Sequence, residues 1–177
     1  MSEATLPDVH DCRDHREAMV ELVRSMGWQT GAEIGVGSGK LSRRLLRDVP
    51  WLALVGVDAC FRADRARAIE ELRDEYRHRY LLLPMRSTQG AKHVTPGSLD
   101  FAFIDAGHSY RSVHDDVRAW RDRVSPNGWL LGHDYGHPRY HGVRRAVREW
   151  FGDRVHVIGH TIWAVSGSVI HAPIPGR

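Results

Sequence analysis

Apolar positions along this chain alternate between a helical and a strand period. After Asp14, Met19, Leu22, Val23 and Met26 recur at helical spacing and Gly27 closes the run, which predicts a helix capped at both ends. Ala32–Val36 then reads as a buried strand. Leu41, Leu45 and Val49 predict a second helix stopped by Pro50, and Leu52–Val57 is an apolar run of strand length. Ala66, Ile69, Leu72 and Tyr76 mark the next helix, and strands follow over Tyr80–Leu83 and Leu99–Ile104. Val113, Val117, Trp120 and Val124 predict a helix ended by Pro126, with Trp129–Gly132 as the fifth strand. Val143, Val147 and Trp150 give a last helix, and Val155–Ile158 with Ile162–Val165 a hairpin around His160 and Thr161. Strands alternating with helices of this length predict a doubly wound, mostly parallel α/β sheet. No repeat or interior linker divides the chain, so residues 1–177 read as a single domain, with residues 1–12 and 167–177 as loose ends.

Composition narrows this picture. With 177 residues, 42% of them hydrophobic and 27% charged, the chain can bury a core without disulfide staples and is not a disordered protein. No apolar run approaches the ~20 residues of a membrane span, so no membrane partner is expected. Met1–Arg13 has no apolar signal region, and Cys12 and Cys60 form no Cys-x-x-Cys pair, so a reducing cytoplasm is expected. Cys60 reads as a small pocket or core residue. The net charge of +3 comes almost wholly from arginine, Lys40 and Lys92 being the only lysines. Arg62–Arg79 is interleaved with acids, the pattern of a solvated helix face. Arg139–Arg148 alone is locally basic, too short a patch to establish a nucleic-acid footprint.

The chemistry begins at the first strand, which runs into Glu33-Ile34-Gly35-Val36-Gly37-Ser38-Gly39 before a helix. Glycines at such a turn take positive φ and let backbone approach a ligand. A phosphate-binding Walker loop needs glycine five positions before Gly39-Lys40 and Ser or Thr after it; Ile34 and Leu41 stand there instead. A nicotinamide or flavin fingerprint wants Gly-x-Gly-x-x-Gly, and this chain has Gly-x-Gly-x-Gly. Asp58, with Ala59 behind it, ends the second strand where a carboxylate can accept hydrogen bonds from both hydroxyls of a ribose. Strand, loop, helix, strand and terminal Asp in this order point to an adenosine-containing cofactor.

Glu33–Gly39 resembles motif I of the class I S-adenosylmethionine-dependent methyltransferases. Phe103-Ile104-Asp105-Ala106-Gly107-His108-Ser109-Tyr110, Pro126–Tyr135 and Gly142–Val147 resemble one subgroup of them, the small-molecule O-methyltransferases of macrolide-sugar type and the cephalosporin hydroxylase-like proteins. The resemblance spans about Gly31 to Trp163. It implies a seven-stranded sheet whose last strand is antiparallel, with S-adenosylmethionine as cofactor. It also implies a binding set of Glu33, Gly35, Gly37, Gly39, Asp58, Ala59, Arg86, Ser87 and Asp105. In that set the three glycines line the methionine end, Asp58 holds the ribose, and Arg86 and Ser87 lie near the adenine.

Methyl transfer from a sulfonium is an in-line displacement, so a hydroxyl acceptor needs positioning and a base or metal that lowers its pKa. Asp105 ends the fourth strand with His108 in the following loop, and His133-Asp134 ends the fifth. His108 is the base candidate, because imidazole titrates near neutral pH, and Asp105 is its catalytic companion. Metal-dependent members of the subgroup commonly carry an acidic pair on the fifth strand, and His133 replaces the first of those acids. The set Asp105, His133 and Asp134 therefore leaves open Mg²⁺, a softer divalent metal such as Mn²⁺, Fe²⁺ or Zn²⁺, or no metal. Tyr110, Tyr135, His137, Tyr140 and His141 read as substrate-side or surface residues, and Pro138 breaks the register a His137–His141 metal pair would need. The expectation is a methyltransferase acting on a small-molecule hydroxyl. Its rival is a catalytically silent cofactor-binding partner or regulatory subunit, which the presence of both Asp105 and His108 disfavours. Nucleic-acid methylation lacks its Asn-Pro-Pro-Tyr-like element here. Little chain remains for a lid beyond the N-terminal helix, so either the substrate is modest in size, the pocket is open, or another subunit of a homo-oligomer covers it.

Overall fold

The computed structural model describes residues 5–59, 63–159 and 161–172; Cys60, His160 of the expected hairpin turn and the outermost residues of both ends lie outside them. The first helix, α1 (His15–Met26), begins where the Asp14 carboxylate accepts the backbone N–H groups of Arg16 and Glu17. It ends at Gly27, whose φ of 65° lets its N–H reach the Arg24 carbonyl while the Trp28 N–H reaches Val23. Four strand–helix units follow: β1 (Thr30–Ile34) and α2 (Lys40–Asp48), β2 (Ala53–Val57) and α3 (Ala63–Glu75), β3 (Tyr80–Leu83) and α4 (Ser87–Gly90), β4 (Leu99–Ile104) and α5 (Tyr110–Trp120). Then come β5 (Val124–Gly132), α6 (His141–Phe151), β6 (His156–Ile158), β7 (Ile162–Ser166) and α7 (Gly167–Ile170).

The strands form one seven-stranded sheet in the order β3-β2-β1-β4-β5-β7-β6. β1 to β5 pair in parallel, while β7 runs antiparallel to both β5 and β6. Strand alternation divides the core between the two faces. Phe101 and Phe103 of β4 pack with Met19, Leu22, Leu45 and Leu72 from α1, α2 and α3. Ala102 and Ile104 of the same strand pack with Val113, Trp120, Val143 and Val147 from α5 and α6. Strand order reverses between β1 and β4, so the crevice for a ligand opens at their carboxyl ends.

Several boundaries differ from the sequence reading, β2, β6 and β7 by a single residue each. β1 begins and ends two residues early, leaving Val36 in the glycine loop. The helix expected to run through Val124 stops at Trp120, and after a 3₁₀ turn Val124 starts β5 opposite Leu99. Register resumes only at Phe101 and Trp129, so Pro126 sits in an irregular bulge, which tolerates its missing N–H. The ends are also less loose than expected: Val9 is buried, and α7 occupies residues 167–170 with Ile170 buried. No described helix is long and apolar enough to cross a membrane.

Candidate active site

The carboxyl ends of β1, β2 and β4, with the start of α4 and one side of α5, enclose a cavity of about 690 Å³. That falls within the roughly 300–1,000 Å³ typical of small-molecule sites. Gly35, with φ 99°, donates its N–H to the Val57 carbonyl at 2.8 Å. A Cβ there would lie 2.3 Å from the Asp105 carbonyl oxygen, so only glycine lets the loop cross the end of β4. Gly37, with φ 58°, donates its N–H to Asp58 Oδ2 at 2.7 Å. Asp58 thus fastens the glycine loop while its carboxylate lines the cavity.

The opposite wall holds Arg86, Ser87 and Thr88 at the start of α4, with Ser112, Asp115 and Asp116 of α5. The Ser87 hydroxyl accepts the Trp120 indole N–H at 2.9 Å and donates to Asp116. Burial pushes the Asp116 carboxyl up to about 6, against the lowering effect of the Ser87 hydrogen bond, and neighbouring Asp115 raises it further.

Asp105 belongs both to this cavity and to a denser polar cluster beside it. His108 Nε2 lies 2.7 Å from Asp134 Oδ2 and 3.7 Å from Asp105 Oδ1. His133 Nδ1 is 3.3 Å from Asp134 Oδ1 and 3.7 Å from Asp105 Oδ1. The His15 ring, from the first residue of α1, lies 4.1 Å from the His133 ring. Burial works to lower the pKa of His133, but Asp105 and Asp134 outweigh it and the net shift is upward. Burial, then the neighbouring His133, push His15 down. Within each of two sets, His15–Asp105–His133 and Asp105–His108–Asp134, the ligand atoms lie within 4.8 Å of one another, close enough to hold a cation.

Of the expected cofactor residues, Gly35, Gly37, Asp58, Ala59, Arg86, Ser87 and Asp105 line the cavity, and Glu33 and Gly39 do not. Strand alternation turns Glu33 to the α2 face, where the Ser42 hydroxyl donates to its Oε2 and also lies 3.3 Å from the Tyr80 hydroxyl. Burial there holds the Glu33 carboxyl up at about 8. Gly39 caps α2 at φ 72°, against Leu72 of α3. The expected metal set, Asp105, His133 and Asp134, is brought together, but the carboxylate nearest His108 is Asp134 rather than Asp105. Sequence reasoning missed His15, Thr88, Ser112, Asp115 and Asp116. A helix that leads straight into a parallel strand starts at that strand's carboxyl end, which was the available signal for His15.

A family profile described as a methyltransferase domain matches residues 32–135. No curated protein sequence matches the chain. Among solved structures, a Corynebacterium glutamicum protein superposes with a TM-score of 0.68 at 16% identity, over 97% of this chain and 86% of its own. PaMTH1 of Podospora anserina, a methyltransferase solved with S-adenosylhomocysteine bound, gives 0.64 at 17% identity, covering 85% and 76%. CalS11, the TDP-rhamnose 3′-O-methyltransferase of calicheamicin biosynthesis, gives 0.67 at 16% identity, covering 87% and 80%.

Proposed function

The chain belongs to the methyltransferase-domain family, and from that premise we propose that it moves a methyl group from S-adenosylmethionine to a hydroxyl oxygen of a small acceptor. One observation carries this reading: the cofactor-sized cavity runs to Asp105, and beyond Asp105 stands an imidazole paired with a carboxylate at 2.7 Å. The fold shared with a sugar O-methyltransferase supports oxygen as the nucleophile.

In this reading Gly35 and Gly37 pass the methionine end, Asp58 accepts the ribose hydroxyls, and Arg86, Ser87 and Thr88 face the adenine. The sulfonium supplies the methyl group. The chain's own task is to hold the acceptor oxygen in line and take its proton. His108 presents Nε2 to Asp134, so the neutral ring that donates there offers Nδ1 as proton acceptor. Asp134 fixes that tautomer and stabilises the imidazolium that forms. Asp105, 3.7 Å away, adds a second negative charge.

A divalent metal is a second reading, favoured by the two ligand sets that share Asp105. The set His15–Asp105–His133 suits an ion that accepts imidazole nitrogen, such as Mn²⁺, Fe²⁺ or Zn²⁺, better than Mg²⁺. It also leaves His108 and Asp134 to act as the base pair, whereas an ion held by Asp105–His108–Asp134 would occupy the base itself. The test is methyl transfer from labelled S-adenosylmethionine across a panel of small hydroxylated acceptors, with and without chelator. Calorimetry with S-adenosylhomocysteine runs alongside it. Absence of S-adenosylhomocysteine binding would remove the reading at its root. Full turnover in chelator would remove the metal.

A further inference from the structure

We propose that a second, basic cavity at the start of α6 binds a phosphate or diphosphate group carried by the acceptor, an assignment that rests on the methyl-transfer reading above. This cavity, about 410 Å³, is lined by Gly136, His137, His141, Arg144, Arg145 and Arg148. His141, Arg144, Arg145 and Arg148 recur at the spacing of one helix face, while Val143, Ala146, Val147 and Phe151 bury the other. Like charges stacked along a helix face destabilise it. Elsewhere the chain interleaves acids with its arginines, as Arg13 with Glu17 and Arg67 with Glu71, both at 2.9 Å. On α6 that compensation reaches only Arg148. Glu149 is engaged by the Tyr110 hydroxyl at 2.6 Å, and Asp153 takes Arg148. Among the described residues no carboxylate pairs with Arg144 or Arg145; Arg145 lies instead over the Tyr110 ring.

The cavity also stands in the right place. Gly142 lets α6 press on the loop that carries the base, since a Cβ there would meet the backbone of Tyr110 at 2.4 Å and the His108 carbonyl at 3.0 Å. The His137 ring stacks on Tyr140 at 4.6 Å, and Tyr140 stacks on His108 at 4.2 Å. An acceptor hydroxyl at His108 and an anionic group among the arginines are therefore two ring stacks apart. That separation suits a phosphorylated sugar or similar small molecule. The Arg139 N–H donates to His137 Nδ1, which leaves the proton of that ring on Nε2 as a further donor. Guanidinium forks with imidazole donors match the several oxygens of a phosphoryl group. A concave pocket, rather than a flat stripe, favours a small ligand over a nucleic-acid backbone.

The experiment titrates pyrophosphate into the full chain saturated with S-adenosylhomocysteine, so that the cofactor cavity is blocked. Saturable binding is expected, weakened roughly tenfold or more in R144Q/R145Q and little changed in R67Q. Thermal unfolding confirms that the variants are folded. S-adenosylhomocysteine affinity, measured first, should be the same in all of them. Its loss in the wild-type chain would strike the methyl-transfer reading, and with it the acceptor assignment, whatever pyrophosphate does. No saturable pyrophosphate binding, or binding indifferent to Arg144 and Arg145, overturns the anion pocket. Tighter binding of a single-stranded oligonucleotide through the same two arginines overturns the small-molecule assignment.

Discussion

Asp134 is the only described non-glycine residue with a left-handed backbone, φ 63°, and it is also buried and paired with His108. Such a conformation costs on the order of 1–3 kcal/mol and persists where surroundings over-determine it; Asp and Asn tolerate it best. Asp134→Asn should therefore keep the fold and S-adenosylhomocysteine affinity while removing the charge that supports the imidazolium. Single-turnover methyl transfer should fall by roughly 10²–10⁴, the range for general-base catalysis, and His108→Ala should fall similarly. An unchanged rate in Asp134→Asn would take Asp134 out of the proton-transfer step. Glu33 supports a different prediction, about stability. Its carboxyl stands near 8 in the fold against an ordinary 4.5. The folded state thus keeps a proton that the unfolded chain releases, so Glu33 lowers stability progressively as pH rises through that interval. Glu33→Gln should match the wild type below pH 4.5 and be the more stable protein by about pH 8. Denaturant melts across that range check it, and parallel curves would return Glu33 to an ordinary carboxylate.

Between α5 and α6 a single hydrogen atom sets the packing. Gly142→Ala would place a Cβ 2.4 Å from the Tyr110 nitrogen, and backbone cannot swing aside as a side chain does. Overpacking of this kind costs roughly 1–3 kcal/mol. The variant should melt earlier and lose methyl transfer through a displaced His108, with S-adenosylhomocysteine affinity intact, because the cofactor cavity lies on the other side of Asp105. Equal loss of cofactor binding would mean that α6 supports the whole crevice. The elements themselves were largely readable in the sequence. Asp14 and Gly27 marked both ends of α1, and β3 and β4 fall where their apolar runs predicted. The reading failed where local and tertiary signals conflict. Val124 continues the helical spacing of Val113, Val117 and Trp120, but its pairing opposite Leu99 draws it into β5. The tail, with Pro173 and Pro175, reads as a loose end, yet Gly167 packs against the Ser125 carbonyl closely enough to exclude any Cβ, and α7 follows.

At the scale of the molecule, the site joins segments remote in sequence at the carboxyl ends of the strands: His15 before β1, the glycine loop after it, Asp58 after β2, Asp105 and His108 after β4, and His133 and Asp134 after β5. Contiguous motifs were therefore visible, whereas residues recruited by packing, His15 and Asp116, were not. Neither adjoins a glycine loop or strand end in the sequence; the run of α1 into β1 was the one signal for His15, and the sheet order brings both to the crevice. The same assembly makes cofactor binding a global stability term. A ligand that binds only the folded chain, at 100 times its Kd, stabilises it by about 2.7 kcal/mol. For a domain of this size that raises Tm by roughly 5–10 °C. Asp58 both binds the Gly37 N–H and lines the cavity, so Asp58→Ala should loosen the loop and remove the proposed ribose acceptor together. Losing charge-assisted hydrogen bonds costs about 1.5–3 kcal/mol, which at the same S-adenosylhomocysteine concentration leaves less than half of that shift. Differential scanning of both proteins with and without S-adenosylhomocysteine separates the two effects: a lower Tm without ligand measures the loop, and the shrunken shift measures the ribose contact. A variant whose ligand-induced shift equals that of the wild type would confine Asp58 to fastening the loop.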